Sequence, residues 1–210
     1  MKRTDNEIMR LRILDAVIEC KIHAEGAYVS LSQISCKAGI SERTLNRYFP
    51  DKEIMIYGAA VRYLKRKYDE FSEQYRACDK KELNGLECLM LLVKLQMDNY
   101  MNSITDALIF VRAYTTTLNT AVYRKLPVAG YDASAREIVL ECIRNGVKDG
   151  SIKHDAVPMD AYLLISSNFN GLVQRLIYTY SVEYSAEEHR KELFNVFGKY
   201  IQMLRVFLSA

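Results

Sequence analysis

Proline is scarce in this sequence, with three residues in 210, and glycine is limited to nine, so the chain has few points at which to turn sharply. A turn-rich β fold needs more of both, whereas a composition that is half apolar suits long helices. The expected fold class is all-α. No run approaches the ~18 uninterrupted apolar residues of a membrane-spanning helix. The opening Met1-Lys-Arg-Thr-Asp-Asn-Glu7 also lacks the apolar stretch of a secretory signal. A soluble, cytoplasmic protein with no membrane partner is expected. The five cysteines (Cys20, Cys36, Cys78, Cys88, Cys142) are scattered and include no C-x-x-C pair, which argues against a disulfide framework or a zinc site and for reduced thiols packed in helices. The three histidines (His23, His154, His189) are far apart, so no metal site is expected. G-x-S-x-G, H-E-x-x-H and G-x-x-x-x-G-K-[ST] are all missing, and no acid/base cluster stands out. The expectation is a protein that is not an enzyme, with no catalytic residues and no cofactor.

A net charge of +3 does not by itself signal nucleic-acid binding. Its distribution is more informative, because residues 1–81 hold 16 Lys and Arg against 12 Asp and Glu, and the rest of the chain is nearly balanced. Any DNA contact must therefore come from local placement of charge near the N-terminus.

From Ile8 to about Ala24, the residues Ile8, Leu11, Leu14, Val17, Ile18 and Ile22 recur at helical steps and predict one buried face. Gly26 ends this helix. Ser30-Leu-Ser-Gln33 has the form of a capping box opening a short helix from Leu31 to about Ala38. Ala38-Gly-Ile-Ser41 then supplies a glycine for the left-handed turn, an inward Ile40 and a Ser41 cap. Two short helices joined in this way form a helix-turn-helix. The helix from Glu42 to about Phe49 turns Leu45 and Phe49 inward, leaving Arg43, Thr44, Asn46, Arg47 and Tyr48 outside, while Pro50 stops it and Asp51 caps the next. Arg43 and Arg47 can donate to phosphates or guanine edges, Asn46 can pair with adenine, and Thr44, Tyr48 and Lys52 can position phosphates. A merely solvated polar face is the alternative.

The continuous stretch Ile34-Ser-Cys-Lys-Ala-Gly-Ile-Ser-Glu-Arg-Thr-Leu-Asn-Arg-Tyr-Phe-Pro-Asp-Lys-Glu53, with Ile13-Leu-Asp-Ala16 upstream, resembles the N-terminal signature of TetR-family transcriptional regulators. The resemblance implies that Thr44, Tyr48 and Lys52 contact phosphates and that Arg43, Asn46 and Arg47 lie nearest the bases. Arg43 and Asn46 depart from the residues usual in the family, which points to an operator of the protein's own. Lys21 stands where an aromatic is usual.

Beyond Lys52, helical patterns follow one another over 52–76, 86–101, 104–125, 133–149, 159–184 and 186–208, with no further motif or repeat. The domains read from this are a helix-turn-helix module over 1–52 and a helical effector-binding and dimerisation bundle over 53–210. On the final helix Leu193, Val196, Phe197, Tyr200, Ile201, Leu204, Phe207 and Leu208 form a broad stripe, and the helix before it is apolar nearly all round, with Ser166, Ser167 and Gly171 small enough for close approach. A homodimer through the last two helices is expected, presenting two recognition helices to a near-palindromic double-stranded operator. Tyr63, Tyr100, Phe110, Arg112, Tyr114, Asn168 and Phe169 are the candidates for a small-molecule effector pocket. The function read from the sequence is a DNA-binding regulator, by family habit a repressor released by an effector. The rival reading is a helical interaction protein that acts through a protein partner.

Overall fold

The computed structural model describes residues 2–24, 28–103, 106, 109–110, 133–180 and 186–210, with backbone only for 2–4, 175–180, 186–190 and 193. Its helices are α1 (Lys2–His23), α2 (Leu31–Ala38), α3 (Glu42–Tyr48), α4 (Lys52–Ala77), α5 (Gly85–Asn102), α6 (Ala133–Asp149), α7 (Pro158–Tyr180) and α8 (Ala186–Leu208). The expected helix over 104–125 falls almost wholly outside the described residues. Strands are absent among the described residues, apart from one isolated bridge between Ile152 and Ser209.

The chain forms two compact units, one from the described parts of 1–66 and 103–131 and the other from 67–102 and 132–210. The helix-turn-helix therefore does not stand alone at 1–52, because the first half of α4 belongs with it. Met55, Ala59, Ala60 and Tyr63 on α4 join Ile13, Val17, Ile34, Ala38, Leu45 and Phe49 in one core. Helix α1 begins at Lys2, ahead of the apolar pattern, since Lys, Arg and Glu sustain a helix and Asp5 suits its positive end. Its buried face also differs from the expected stripe. Ile13, Ala16, Val17 and Ile18 are buried, whereas Ile8 is 60 % and Leu11 36 % exposed. Apolar residues lie on most sides of this helix, so periodicity alone did not select the side that meets α2 and α3.

In the second unit α5 and α6 make backbone contact through glycine. A Cβ on Gly85 would stand 2.0 Å from the Gly146 nitrogen. The N–H of Gly85 donates to Asp149 Oδ2 at 2.7 Å and that of Leu86 to Ser151 Oγ at 3.1 Å, so the turn after α6 satisfies donors that the start of α5 cannot satisfy itself. Asn84 and Glu87 add a reciprocal cap. Ile152 is fully buried, its N–H donating to the Gly146 carbonyl, and Lys153 ties the turn to the Leu208 carbonyl near the end of α8. On α7 and α8 the inner sides are Ala161, Ile165, Phe169 and Val173, facing Phe197, Tyr200, Leu204 and Leu208 in the buried set.

Candidate nucleic-acid interface

Helix α3 has only seven residues and could not persist alone. Three local devices hold it. Gly39, at φ 64° and ψ 40°, ends α2 in the left-handed conformation, its N–H and that of Ile40 returning to the Cys36 and Ser35 carbonyls. Ser41 takes an extended backbone and accepts the Thr44 N–H at 3.2 Å. Leu45, with no exposed surface, and the buried Phe49 fix the rotation of α3 on the core. Upstream, the Ser30 and Gln33 cap closes in both directions as the sequence implied.

That rotation turns Arg43, Asn46 and Arg47 to solvent, while Thr44 and Tyr48 are half-buried at the edges of the same face. None of Arg43, Arg47 and Arg10 has a carboxylate partner among the described residues. Elsewhere in the same unit cations are paired: Lys37 with Glu19, and Arg62 and Arg66 both with Asp15. Arg62 grips Asp15 with two bonds, at 2.5 and 2.9 Å. Partial burial alone would raise the Asp15 pKa, but the hydrogen bond and charge of Arg62, then those of Arg66, more than offset it and hold the carboxyl below its ordinary value. The Asp15 pairs tie α1 to α4 and the Lys37 pair ties α1 to α2, while the arginines of α3 enter no ion pair among the described residues.

The three phosphate candidates all have protein partners. The Thr44 hydroxyl lies 3.0 Å from the Ser41 hydroxyl. Tyr48 Oη donates to Asn6 Oδ1 at 3.2 Å, with the Arg47 guanidinium 5.2 Å from its ring centroid. Lys52 Nζ donates to the Val29 carbonyl at 3.2 Å and sits 4.1 Å from the centre of the Tyr28 ring. Tyr28 is 78 % exposed. Burial first, and then the like charge of Lys52, push the Lys21 pKa down, so Lys21 and Lys52 form a cationic pair at this edge. Sequence spacing does not single out Asn6, Tyr28 or Lys21, because their partners lie far along the chain.

The effector candidates divide between the units. Tyr63 and Phe110 stack in the first, with centroids 4.3 Å apart. Tyr100 and Phe169 both pack on Phe197 in the second, at 6.4 and 5.7 Å. Asn168 is exposed and donates to the Leu164 carbonyl of its own helix. Arg112 and Tyr114 lie outside the described residues. An open groove of 360 Å³ on the first unit, lined by Ile8, Leu11, Arg12, Asp15, Ala16, Glu19 and Lys37, contains none of these seven candidates. Cys142 is buried against the Tyr75 hydroxyl at 3.1 Å, and burial pushes its thiol pKa up to about 11, which disfavours the reactive thiolate.

No family sequence model matches the chain, and neither does any curated protein sequence. Solved structures do match. A TetR-family regulator from Mesorhizobium loti superposes with a TM-score of 0.65 at 15 % identity, covering 98 % of each chain. The fold is that of the TetR-family regulators. A second such regulator, from Chloroflexus aurantiacus, gives 0.58 at 18 % identity over 97 % of this chain and 94 % of that one. FadR of Thermus thermophilus, a TetR-family repressor solved with lauroyl-CoA, gives 0.63 at 15 % identity over 90 % and 92 %. The likeness covers nearly the whole chain, and these neighbours are described as transcriptional regulators. Among the described residues no helix is long and apolar enough to cross a membrane.

Proposed function

We propose that this protein is a sequence-specific DNA-binding transcriptional regulator that acts as a homodimer and is released from its operator by a small-molecule effector. The observation that carries this reading is α3 itself, a short helix capped at its start, anchored by Leu45 and Phe49, and presenting Arg43, Asn46 and Arg47 outward without carboxylate partners among the described residues. Such a surface is matched to the major groove, where arginine reads guanine and asparagine reads adenine. Thr44, Tyr48 and Lys52 border it and position it on phosphates, Thr44 through its hydroxyl, Lys52 through the N–H donors it does not give to Val29, and Tyr48 through Asn6, to which it gives its one proton.

One such module buries too little surface for tight binding, so a two-fold pair is needed. The surface for pairing is the outer side of α7 and α8, where Leu163, Leu164, Phe194, Met203, Val206 and Phe207 are about half exposed or more. Ser167 and Gly171 lie between the α7 leucines and the helix end, and a Cβ on Gly171 would meet no atom within 4 Å. A helix from a second copy can approach closely there. Effector contacts are proposed for Tyr100 and Phe169 within the second unit, where both pack on Phe197, and separately for the Tyr63 and Phe110 stack within the first. The effector acts by binding one arrangement of the recognition helices better than another.

The test is selection of bound fragments from a pool of random duplexes by the purified protein. A near-palindromic consensus is expected, bound by wild type and lost in the double variant R43E/R47E while its helical circular dichroism persists. Recovery of no enriched sequence at low salt would overturn the reading.

A further inference from the structure

Helix α1 places Asn6, Arg10, Ile13 and Val17 on one stripe, at steps of four, three and four residues. The inner half of the stripe, Ile13 and Val17, is buried in the core. Its outer half passes over the end of α3. Asn6 Oδ1 accepts the Tyr48 hydroxyl at 3.2 Å, and the Arg10 guanidinium lies 5.6 Å from the Phe49 ring centroid. Two arginines on different helices, Arg10 and Arg47, therefore bracket the Tyr48-Phe49 pair, each resting on a ring. Both Asn6 and Arg10 are exposed.

We infer that this edge of α1 is a second DNA contact, in which Asn6 and Arg10 hold a backbone phosphate on the strand beside the groove that receives α3. The inference rests on the DNA-binding reading above and adds residues to it. The Tyr48 hydroxyl occupies Asn6 Oδ1, which leaves the amide NH₂ of this exposed residue to donate, and Arg10 offers a planar fork of donors suited to two phosphate oxygens. Ring contacts already restrain both guanidiniums, so less side-chain freedom is lost on binding. The partner must be backbone and not base edges. The major groove is about 12 Å wide and admits one helix, itself about 10–12 Å across, so a second helix beside it reaches only the flanking strand. Asp5 and Glu7 sit a third of a turn to either side of Asn6 and fall off the stripe.

The experiment compares wild type, N6D, R10A, R10K and R43E/R47E on duplex DNA of mixed sequence and on the selected operator, as a function of salt. R10A is expected to weaken binding on the order of tenfold at low salt and to flatten the dependence of log affinity on log salt by about one, equally for every sequence. N6D, which sets a carboxylate against the same phosphate, should weaken binding at least as much, and R10K should restore the slope because it keeps the charge. Thermal unfolding identifies any loss due to packing. If R10A and N6D bind with the affinity and slope of wild type while R43E/R47E does not bind, α1 touches no phosphate and the inference is overturned with the recognition helix left standing. If R43E/R47E also binds as wild type, the DNA-binding reading has failed and the α1 contact fails with it.

Discussion

The two units solve the same problem, a short or awkward helix start, over different reaches of chain, although α5 also keeps a local cap in Asn84 and Glu87. In the first, α2 and α3 are capped by residues three positions away, Ser30 with Gln33 and Ser41 with Thr44. In the second, the first donors of α5 are satisfied by Asp149 and Ser151, which lie 64 and 65 residues further along the chain. Local capping leaves the outer side of α3 with no structural duty, so its arginines remain available for a partner. The long-range capping of α5 commits those polar groups to the protein's own architecture. A surface built for recognition differs from one built for assembly in how much of its polar chemistry is already used.

The largest effect expected from this contrast comes from Gly85→Ala. Its methyl would fall 2.0 Å from the Gly146 nitrogen and 2.7 Å from the Cys142 carbonyl oxygen, both backbone atoms that cannot swing aside. Helices α5 and α6 must separate, at a cost of about 4–5 kcal/mol, at the upper end of what a single substitution does. Urea unfolding followed by circular dichroism measures it, and well below the transition DNA affinity should change little. A loss under ~1 kcal/mol would mean that the glycine contact is not what holds the second unit together. Next is Leu45→Ala, which removes a fully buried side chain from beneath α3. About 3 kcal/mol of stability should go, and DNA binding with it, because the same residue sets the rotation of Arg43 and Arg47. If this variant loses stability but keeps affinity, recognition does not run through α3.

How much of this was legible in advance follows the same division. Ser30, Gln33, Gly39, Ser41, Leu45 and Phe49 could be read directly, because caps and helical periodicity act over three or four residues. Periodicity places Ile8 and Leu11 on the buried side of α1, yet both are exposed, since that helix is apolar around most of its circumference and only contact with α2 and α3 decides. The partners of Tyr48 and Lys52 lie 42 and 23 residues away, a separation at which sequence spacing carries no geometry. Gly85 and Gly146 each look like ordinary small residues until both backbones are in place.

A third prediction concerns Asp15, the clamp between α1 and α4. Asp15→Asn keeps the shape but removes the charge that Arg62 and Arg66 share, and should cost about 2 kcal/mol at neutral pH. The sign of the pH effect follows from the depressed carboxyl. The folded state prefers the ionised form, so its contribution is fully present above the unfolded-state pKa and is lost as pH falls through that value towards the lower folded one. Wild type should therefore lose stability on acidification between those two values more steeply than Asp15→Asn. Parallel acid limbs in the two proteins would show that the arginines hold α1 by packing alone.

The smallest effect gives the finest comparison, since it sets one cap against its neighbour. Ser30→Ala and Ser41→Ala each delete a side-chain acceptor from a helix N-terminus and should each lower stability by about 1 kcal/mol. Their effects on binding should nonetheless diverge. Ser41 orders the turn that carries Arg43 and Thr44, and its hydroxyl meets that of Thr44 at 3.0 Å, so fraying there disperses the groups that face the groove. Ser30 steadies α2, whose role is to support α3 through Ile34 and Ala38, and those side chains remain buried whether or not the first turn frays. A severalfold loss of operator affinity is expected for Ser41→Ala and almost none for Ser30→Ala, measured at a temperature where both are fully folded. Equal losses in the two would show that DNA affinity follows the rigidity of the whole helix-turn-helix, and that the polar face of α3 has no privileged part in it.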